Sequence, residues 1–184
     1  MSVTDVIGGC ITPTTTSGRD ATATDAEGNT TTYTYDAAGN VLSVTDAEGN
    51  SVSYTYDVRG RTATERDKLG AVTTYSYDAK GSVTKTTDAA GCSTRYTYDA
   101  LGNLTKTTNR MNESVSYTYD SMSRRIKEKN ELNQTREYAY DAAGNLVSVT
   151  DGNRHETTYT YDRLSRLICE ENAEGGIAEY SYCE

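Results

Sequence analysis

The chain has no Phe and no Trp, a single Pro, a single His and three Met in 184 residues. Only 35% of it is apolar and its mean hydropathy is -0.73, against the roughly 45–50% apolar share of ordinary globular domains. No stretch approaches the roughly 20 apolar residues of a membrane span. Acidic residues outnumber basic ones 27 to 18, for a net charge of -9 and a pI of about 4.7. A phosphate-binding surface needs clustered Lys and Arg, so this balance argues against a nucleic-acid partner. Residues 1–5 offer neither the basic leader nor the apolar run of a signal peptide. Cys10, Cys92, Cys169 and Cys183 lie far apart, follow no metal-ligand spacing and read as unpaired thiols. His155 has no Ser or Cys partner at an informative spacing and reads as an exposed turn residue. Glu170 and Glu171 read as a solvated strand end rather than an acid–base pair. The glycines are separated by whole strands, which excludes a phosphate-cradling loop. Nothing here supports catalysis, a cofactor or a metal centre.

What the chain does have is tyrosine at a fixed period. All 16 tyrosines fall in eight Tyr-x-Tyr pairs, and each pair follows the last by 21 residues without a slip. The pairs are Tyr33/Tyr35, Tyr54/Tyr56, Tyr75/Tyr77 and Tyr96/Tyr98, then Tyr117/Tyr119, Tyr138/Tyr140, Tyr159/Tyr161 and Tyr180/Tyr182. An aspartate follows each of the first seven: Asp36, Asp57, Asp78, Asp99, Asp120, Asp141 and Asp162. Three residues later stands Gly39, Gly60, Gly81, Gly102 or Gly144, with Ser123 and Ser165 in the other two copies. A period of this length marks a repeat architecture. Low hydrophobicity with net charge would otherwise suggest disorder, but a disordered tail has no need of strict aromatic spacing. These tyrosines, aspartates and glycines are the candidate structural residues of the chain.

Each unit carries two turn signals, the Asp36-x-x-Gly39 series and a second series beginning at Asp46-x-x-Gly49. Asp at the first position and Gly at the fourth suit a type I turn, with the carboxylate accepting from the backbone two residues on. Asn112 and Asn133 replace Gly acceptably, because Asn tolerates the left-handed conformation. Arg154 does not, so that turn is expected to be rebuilt one or two residues earlier, and Ser123 and Ser165 are expected to weaken theirs. The intervals hold about six residues, a common strand length. Val52-Ser53-Tyr54-Thr55-Tyr56 alternates with period two, placing Val52, Tyr54 and Tyr56 on one face. The opposing segments, such as Asn40-Val41-Leu42-Ser43-Val44-Thr45, are rich in β-formers. The pattern predicts an all-β chain of tandem antiparallel hairpins, about fourteen strands in one long sheet that curls into a spiral or partial shell. Residues 25–184 form about seven repeats, and residues 1–24, with Gly8-Gly9 and Pro13, form an irregular segment or decayed capping repeat.

The Tyr-x-Tyr-Asp-x-x-Gly-Asn/Arg-Leu/Val pattern over residues 25–184 resembles the YD repeat, also called the RHS repeat, of bacterial Rhs proteins, toxin-complex shell subunits, wall-associated proteins and teneurins. The resemblance implies a β-sheet ribbon wound into a hollow shell, secreted or at the cell surface as part of a larger protein. In bacterial members it implies an enclosed toxin, and in some members carbohydrate binding. The chain departs from toxin-releasing members in having no Asp-Pro-rich region after its repeats, and Cys183 stands where the last motif would carry Asp. It reads as a repeat-only piece with further repeats, or a copy of itself, as partners at its sheet edges. Two roles follow: a non-catalytic shell segment that encloses or scaffolds, and a glycan- or partner-binding surface that uses the tyrosine ladder. For the aspartates, turn-capping outweighs cation binding, because each turn offers one carboxylate and a hard cation wants six or more oxygens.

Overall fold

The computed structural model describes residues 10–16 and 18–183, with side chains from residue 21 onward. The reading of residues 1–5, of Gly8-Gly9 and of the Cys10 thiol lies outside what is described. The chain divides into two compact units, Met1–Ser93 and Thr94–Glu184. The described residues form seventeen strands and no helix, the all-β antiparallel hairpin fold that the periodicity predicts.

The first unit runs β1 (Cys10–Thr16), β2 (Gly18–Thr24), β3 (Thr30–Tyr35), β4 (Val41–Thr45), β5 (Ser51–Tyr56), β6 (Thr62–Arg66), β7 (Val72–Tyr77) and β8 (Val83–Thr87). Each strand pairs antiparallel with the next, so the sheet of this unit is a plain meander. The second unit takes in β9 (Ser93–Tyr98) from its second residue, then β10 (Leu104–Thr108), β11 (Ser114–Tyr119), β12 (Arg125–Lys129) and β13 (Thr135–Tyr140). It continues through β14 (Leu146–Thr150), β15 (Glu156–Tyr161), β16 (Leu167–Glu171) and β17 (Ile177–Glu179). These too pair in sequence order.

Every turn from Asp25 onward closes in one way. The Gly39 N–H donates to the Asp36 carbonyl at 3.1 Å, and the Asp36 N–H donates to the Asn40 carbonyl at 2.9 Å. With Gly39 at φ 94°, this is a type I turn followed by a left-handed residue, a three-residue hairpin loop. The carboxylate completes it: Asp36 Oδ1 accepts from the N–H groups of Ala38 and Asn40, both at 2.9 Å. The second turn series is built the same way, with Asp46 accepting from Glu48 at 3.0 Å and Asn50 at 2.8 Å.

Arg154 overturns the expectation of a rebuilt turn. It adopts φ 68° in the ordinary register, its N–H donating to the Asp151 carbonyl at 3.0 Å. Asp151 Oδ1 accepts from Asn153 and His155 as in every other copy, so the aspartate and the flanking ladders together outweigh the steric cost of a left-handed arginine. Ser123 and Ser165 likewise keep the turn, at φ 62° and 60°.

A second regularity is a bulge. Thr55 opposes Thr64 but Tyr56 opposes Thr62, so Ala63 has no partner. The same omission falls on Leu42, Thr84, Thr105, Ile126, Val147 and Ile168, at 21-residue intervals. A bulge bends its strand and sharpens the local twist. Among the described residues none is fully buried, and the strand contacts within each unit join sequence neighbours. Among the described residues, therefore, neither unit has a buried core.

Arg154→Gly should stabilise the chain by about 1 kcal/mol, because a left-handed non-glycine residue costs roughly that much. Gly49→Val should destabilise it by a similar or larger amount, the strain coming from φ 84° alone, since nothing lies within 4 Å of an added Cβ. Urea unfolding of the two variants measures both.

Candidate functional site

Directly opposed residues of an antiparallel ladder share a face, and the register sorts the two faces by chemistry. Tyr33 opposes Val44, which opposes Val52; Tyr54 opposes Glu65, which opposes Thr73; Tyr117 opposes Glu128, which opposes Arg136. On the other face Thr34 opposes Ser43 and Thr55 opposes Thr64, each pair joined hydroxyl to hydroxyl at 2.7 Å. Thr45 donates to Ser51 at 3.1 Å in the neighbouring row of that face. One face of each unit is thus tyrosine with mixed apolar and charged neighbours; the other is mostly serine and threonine hydroxyls in the first unit and mixes them with charges such as the Lys127–Glu137 pair in the second.

The second tyrosine of at least five pairs reaches across its sheet. The β4–β5 ladder has three pairs, ending at Ser43 and Ser53. Beyond them the Tyr56 hydroxyl donates to the Val41 carbonyl at 2.6 Å. Tyr77 does the same to Thr62 at 2.7 Å, Tyr119 to Leu104 at 2.9 Å, Tyr140 to Arg125 at 3.0 Å and Tyr182 to Leu167 at 2.7 Å. Each donor lies fifteen residues after its acceptor, so the hydroxyl joins one repeat to the next where the backbone ladder has lapsed. Partial burial pushes the Tyr56, Tyr119 and Tyr161 phenols above their ordinary range. The first tyrosines use a different partner: Tyr75 donates to the Glu65 carboxylate at 3.0 Å, and burial with that bond raises its phenol as well. In the last pair, Tyr180 and Tyr182 are more exposed, at 42% and 45%.

The residue four places after each turn aspartate comes in two main forms. Asn40, Asn103 and Asn145 donate Nδ2 back to Asp36, Asp99 and Asp141, at 2.8 to 2.9 Å. Arg61, Arg124 and Arg166 donate Nε to Asp57, Asp120 and Asp162, each at 2.7 Å. Their guanidinium groups then extend over the second tyrosine of the next repeat: Arg61 lies 4.5 Å from the Tyr77 ring centre, Arg124 4.8 Å from Tyr140, and Arg166 4.7 Å from Tyr182. Two also donate Nη1 to the next turn, Arg61 to the Asp78 carbonyl at 2.9 Å and Arg124 to that of Asp141 at 3.1 Å. Arg125 is flanked by the rings of Tyr117 and Tyr138 and pairs with Glu128 at 3.3 Å.

The carboxylates of Asp36, Asp46, Asp57, Asp99, Asp120, Asp141, Asp151 and Asp162 are held below their ordinary 3.8. For Asp36, Asp46, Asp99 and Asp141 the first cause is the asparagine side chain that donates to them. For Asp57 it is the Arg61 side chain, and for Asp120, Asp151 and Asp162 the backbone N–H of the residue four places on. Their oxygens are occupied by turn donors, so the aspartates act as caps. His155 is exposed, with Nδ1 3.3 Å from Asp151 Oδ2, and Cys92, Cys169 and Cys183 form no disulfide among the described residues. In the second unit a solvent-open depression between the turns at Asn130 and Asp151 has polar walls that include Glu128, Gln134 and Arg136. Gly152 permits that close approach, since an added Cβ would sit 3.1 Å from Gln134 Cβ.

The sequence reading located the tyrosines, aspartates and glycines but missed the bonds that the tyrosines and arginines make between repeats. The available signal was the recurring Arg at 61, 124 and 166, each sixteen residues before a second tyrosine.

A family profile described as the teneurin YD-shell matches residues 17–138 and, again, residues 73–184. Among curated proteins no match was found. Solved structures share the fold at low identity. The TcdB2–TccC3 complex without its hypervariable C-terminal region superposes with a TM-score of 0.60 at 17% identity, over 91% of this chain and 12% of that one. The Tc holotoxin pore of Photorhabdus luminescens gives 0.59 at 18% identity, over 82% of this chain and 11% of that one. The chain therefore spans about a ninth of the length of the structures it matches.

Stability should form a plateau bounded on both sides. The depressed aspartates contribute above pH 3.8 and lose that contribution as pH falls through their lower folded values. The raised tyrosines contribute below pH 10.0 and lose it as pH rises through their higher folded values. Urea midpoints should be flat between about pH 5 and 9 and fall on either side; a chain still at full stability at about pH 12 would contradict the assignment of the tyrosines. Tyr77→Phe, which removes only the hydroxyl bond, should cost about 1 kcal/mol in the same assay.

Proposed function

The chain belongs to the teneurin YD-shell family, and from that membership we propose that it is a non-catalytic structural module, a run of wall repeats whose work is to enclose or to present. The observation that carries this reading is where the tyrosine hydroxyls go. Those of Tyr56, Tyr77, Tyr119, Tyr140 and Tyr182 donate to backbone carbonyls of the preceding repeat, and the turn carboxylates are spent on their own loops. The polar atoms most regularly placed along the chain serve its architecture. A reacting site needs such groups poised toward a substrate, and this arrangement instead uses them to fix one hairpin on the next.

In this reading the module acts in series with further repeats of a larger chain, since it spans about a ninth of the matched structures. The motif tyrosines, aspartates and glycines are its structural residues, and residues 1–24 are an irregular segment or a decayed capping repeat. Enclosed cargo, when there is any, faces a wall rather than a catalytic centre. The competing role, a glycan-binding surface, rests on the ring faces, which remain half-exposed even though the hydroxyls are occupied.

The two roles separate in titrations with a panel of oligosaccharides, read by tyrosine fluorescence. The structural role predicts no saturable response, and predicts that Tyr140→Ala lowers the unfolding midpoint. A saturable response that Tyr140→Ala abolishes while leaving the midpoint unchanged would replace the structural reading with the glycan-binding one.

A further inference from the structure

The junctions between repeats are not equal, and the difference is written four residues after each turn aspartate. At Arg124 the side chain ties three groups together: its own Asp120 at 2.7 Å, the Asp141 carbonyl of the next turn at 3.1 Å, and the Tyr140 ring at 4.8 Å. Arg61 makes the matching set with Asp57, Asp78 and Tyr77 in the first unit. Arg166 repeats the pairing with its own aspartate and the stacking on Tyr182. Asn145 directs its bonds into its own turn, N–H to Asp141 Oδ1 and Nδ2 to Asp141 Oδ2, each at 2.8 Å. An asparagine is too short to do otherwise, whereas the arginine stem carries a planar cation to the neighbouring ring and a second fork of donors to the neighbouring carbonyl.

We infer that this position is a latch code: Arg locks a repeat to its successor, Asn leaves the junction unlatched, and Asn145 marks the ladder at which the second unit opens first. The choice between its two asparagine junctions follows from the hydroxyls. At Asn103 the following Tyr119 still bonds the Leu104 carbonyl at 2.9 Å. At Asn145 the hydroxyl of the following Tyr161 makes no bond to the preceding repeat among the described residues. The β14–β15 ladder that spans this junction has three pairs, Ser148–Thr158, Val149–Thr157 and Thr150–Glu156. Latched arginines stand on either side of it, at 124 and 166. Opening there separates two blocks that each stay intact, so the sheet of this unit has a built-in parting line.

Hydrogen–deuterium exchange of the intact chain, resolved by peptide mass spectrometry, reads each ladder separately. Amides of β14 and β15 should exchange on the order of tenfold faster than those of β12 and β13, the factor that one partly exposed cation–π contact together with its hydrogen bond can supply. Asn145→Arg should install the missing latch and bring the β14–β15 ladder to the protection of β12–β13, without moving the latter. Arg124→Asn should do the reverse, dropping β12–β13 to the level of β14–β15. The ratio between the two ladders is the readout, because a general loss of stability moves both together. Equal exchange in the unaltered chain, or a ratio unchanged by Asn145→Arg, would overturn the inference. Should Arg124→Asn fail to fold, those two measurements still decide it.

Discussion

A sheet with no buried residue among those described cannot borrow rigidity from a packed interior, so each connection has to hold its own shape. The turn aspartate meets that constraint. One carboxylate oxygen accepts two backbone N–H groups and the other accepts the side chain four residues on, closing a loop of three residues at Asp36 and at Asp57. Most of these loops then ask for a glycine at the left-handed position, and the few that lack one keep the geometry, Arg154 included. The constraint is strong enough to set φ for a residue that would not choose it.

The second level is the tyrosine pair. Tight loops alone would leave neighbouring hairpins joined by short ladders, three pairs long between β4 and β5. Tyrosine fits the gap because its ring covers area on an open face while its hydroxyl reaches a carbonyl where the ladder lapses. Phenylalanine would provide the first without the second, a physical reason for a chain with 16 tyrosines and no other aromatic residue. Arginine at 61, 124 and 166 adds a third link of the same range, from one turn to the next turn and ring. All of these links are nearest-neighbour, which is how a repeat array is stabilised without a core.

Much of this was legible in the residues. The 21-residue period, the two turn series, the strand lengths and the all-β meander all follow from spacing and composition, because each is a local demand repeated in every copy. The bulge at Leu42, Ala63 and their equivalents was not legible, since those positions alternate like any strand residue and only the register reveals the omission. The Tyr56–Val41 bond escaped for a similar reason: its acceptor is a backbone carbonyl, which has no sequence identity. Arg154 was misjudged because local preference was weighed without the Asp151 bonds and ladders around it. The family membership adds a reason for the monotony, as a wall is made by repeating one solution.

The central claim is that stability here is a sum over neighbouring repeats. Urea unfolding of chains of three, five and seven repeats, cut at the turn boundaries, tests it most directly. The account predicts that both the unfolding free energy and its denaturant dependence rise steadily with repeat number, each added repeat contributing a similar increment. Stability independent of repeat number, or present only in the longest chain, would show that the chain depends on something other than contacts between adjacent hairpins.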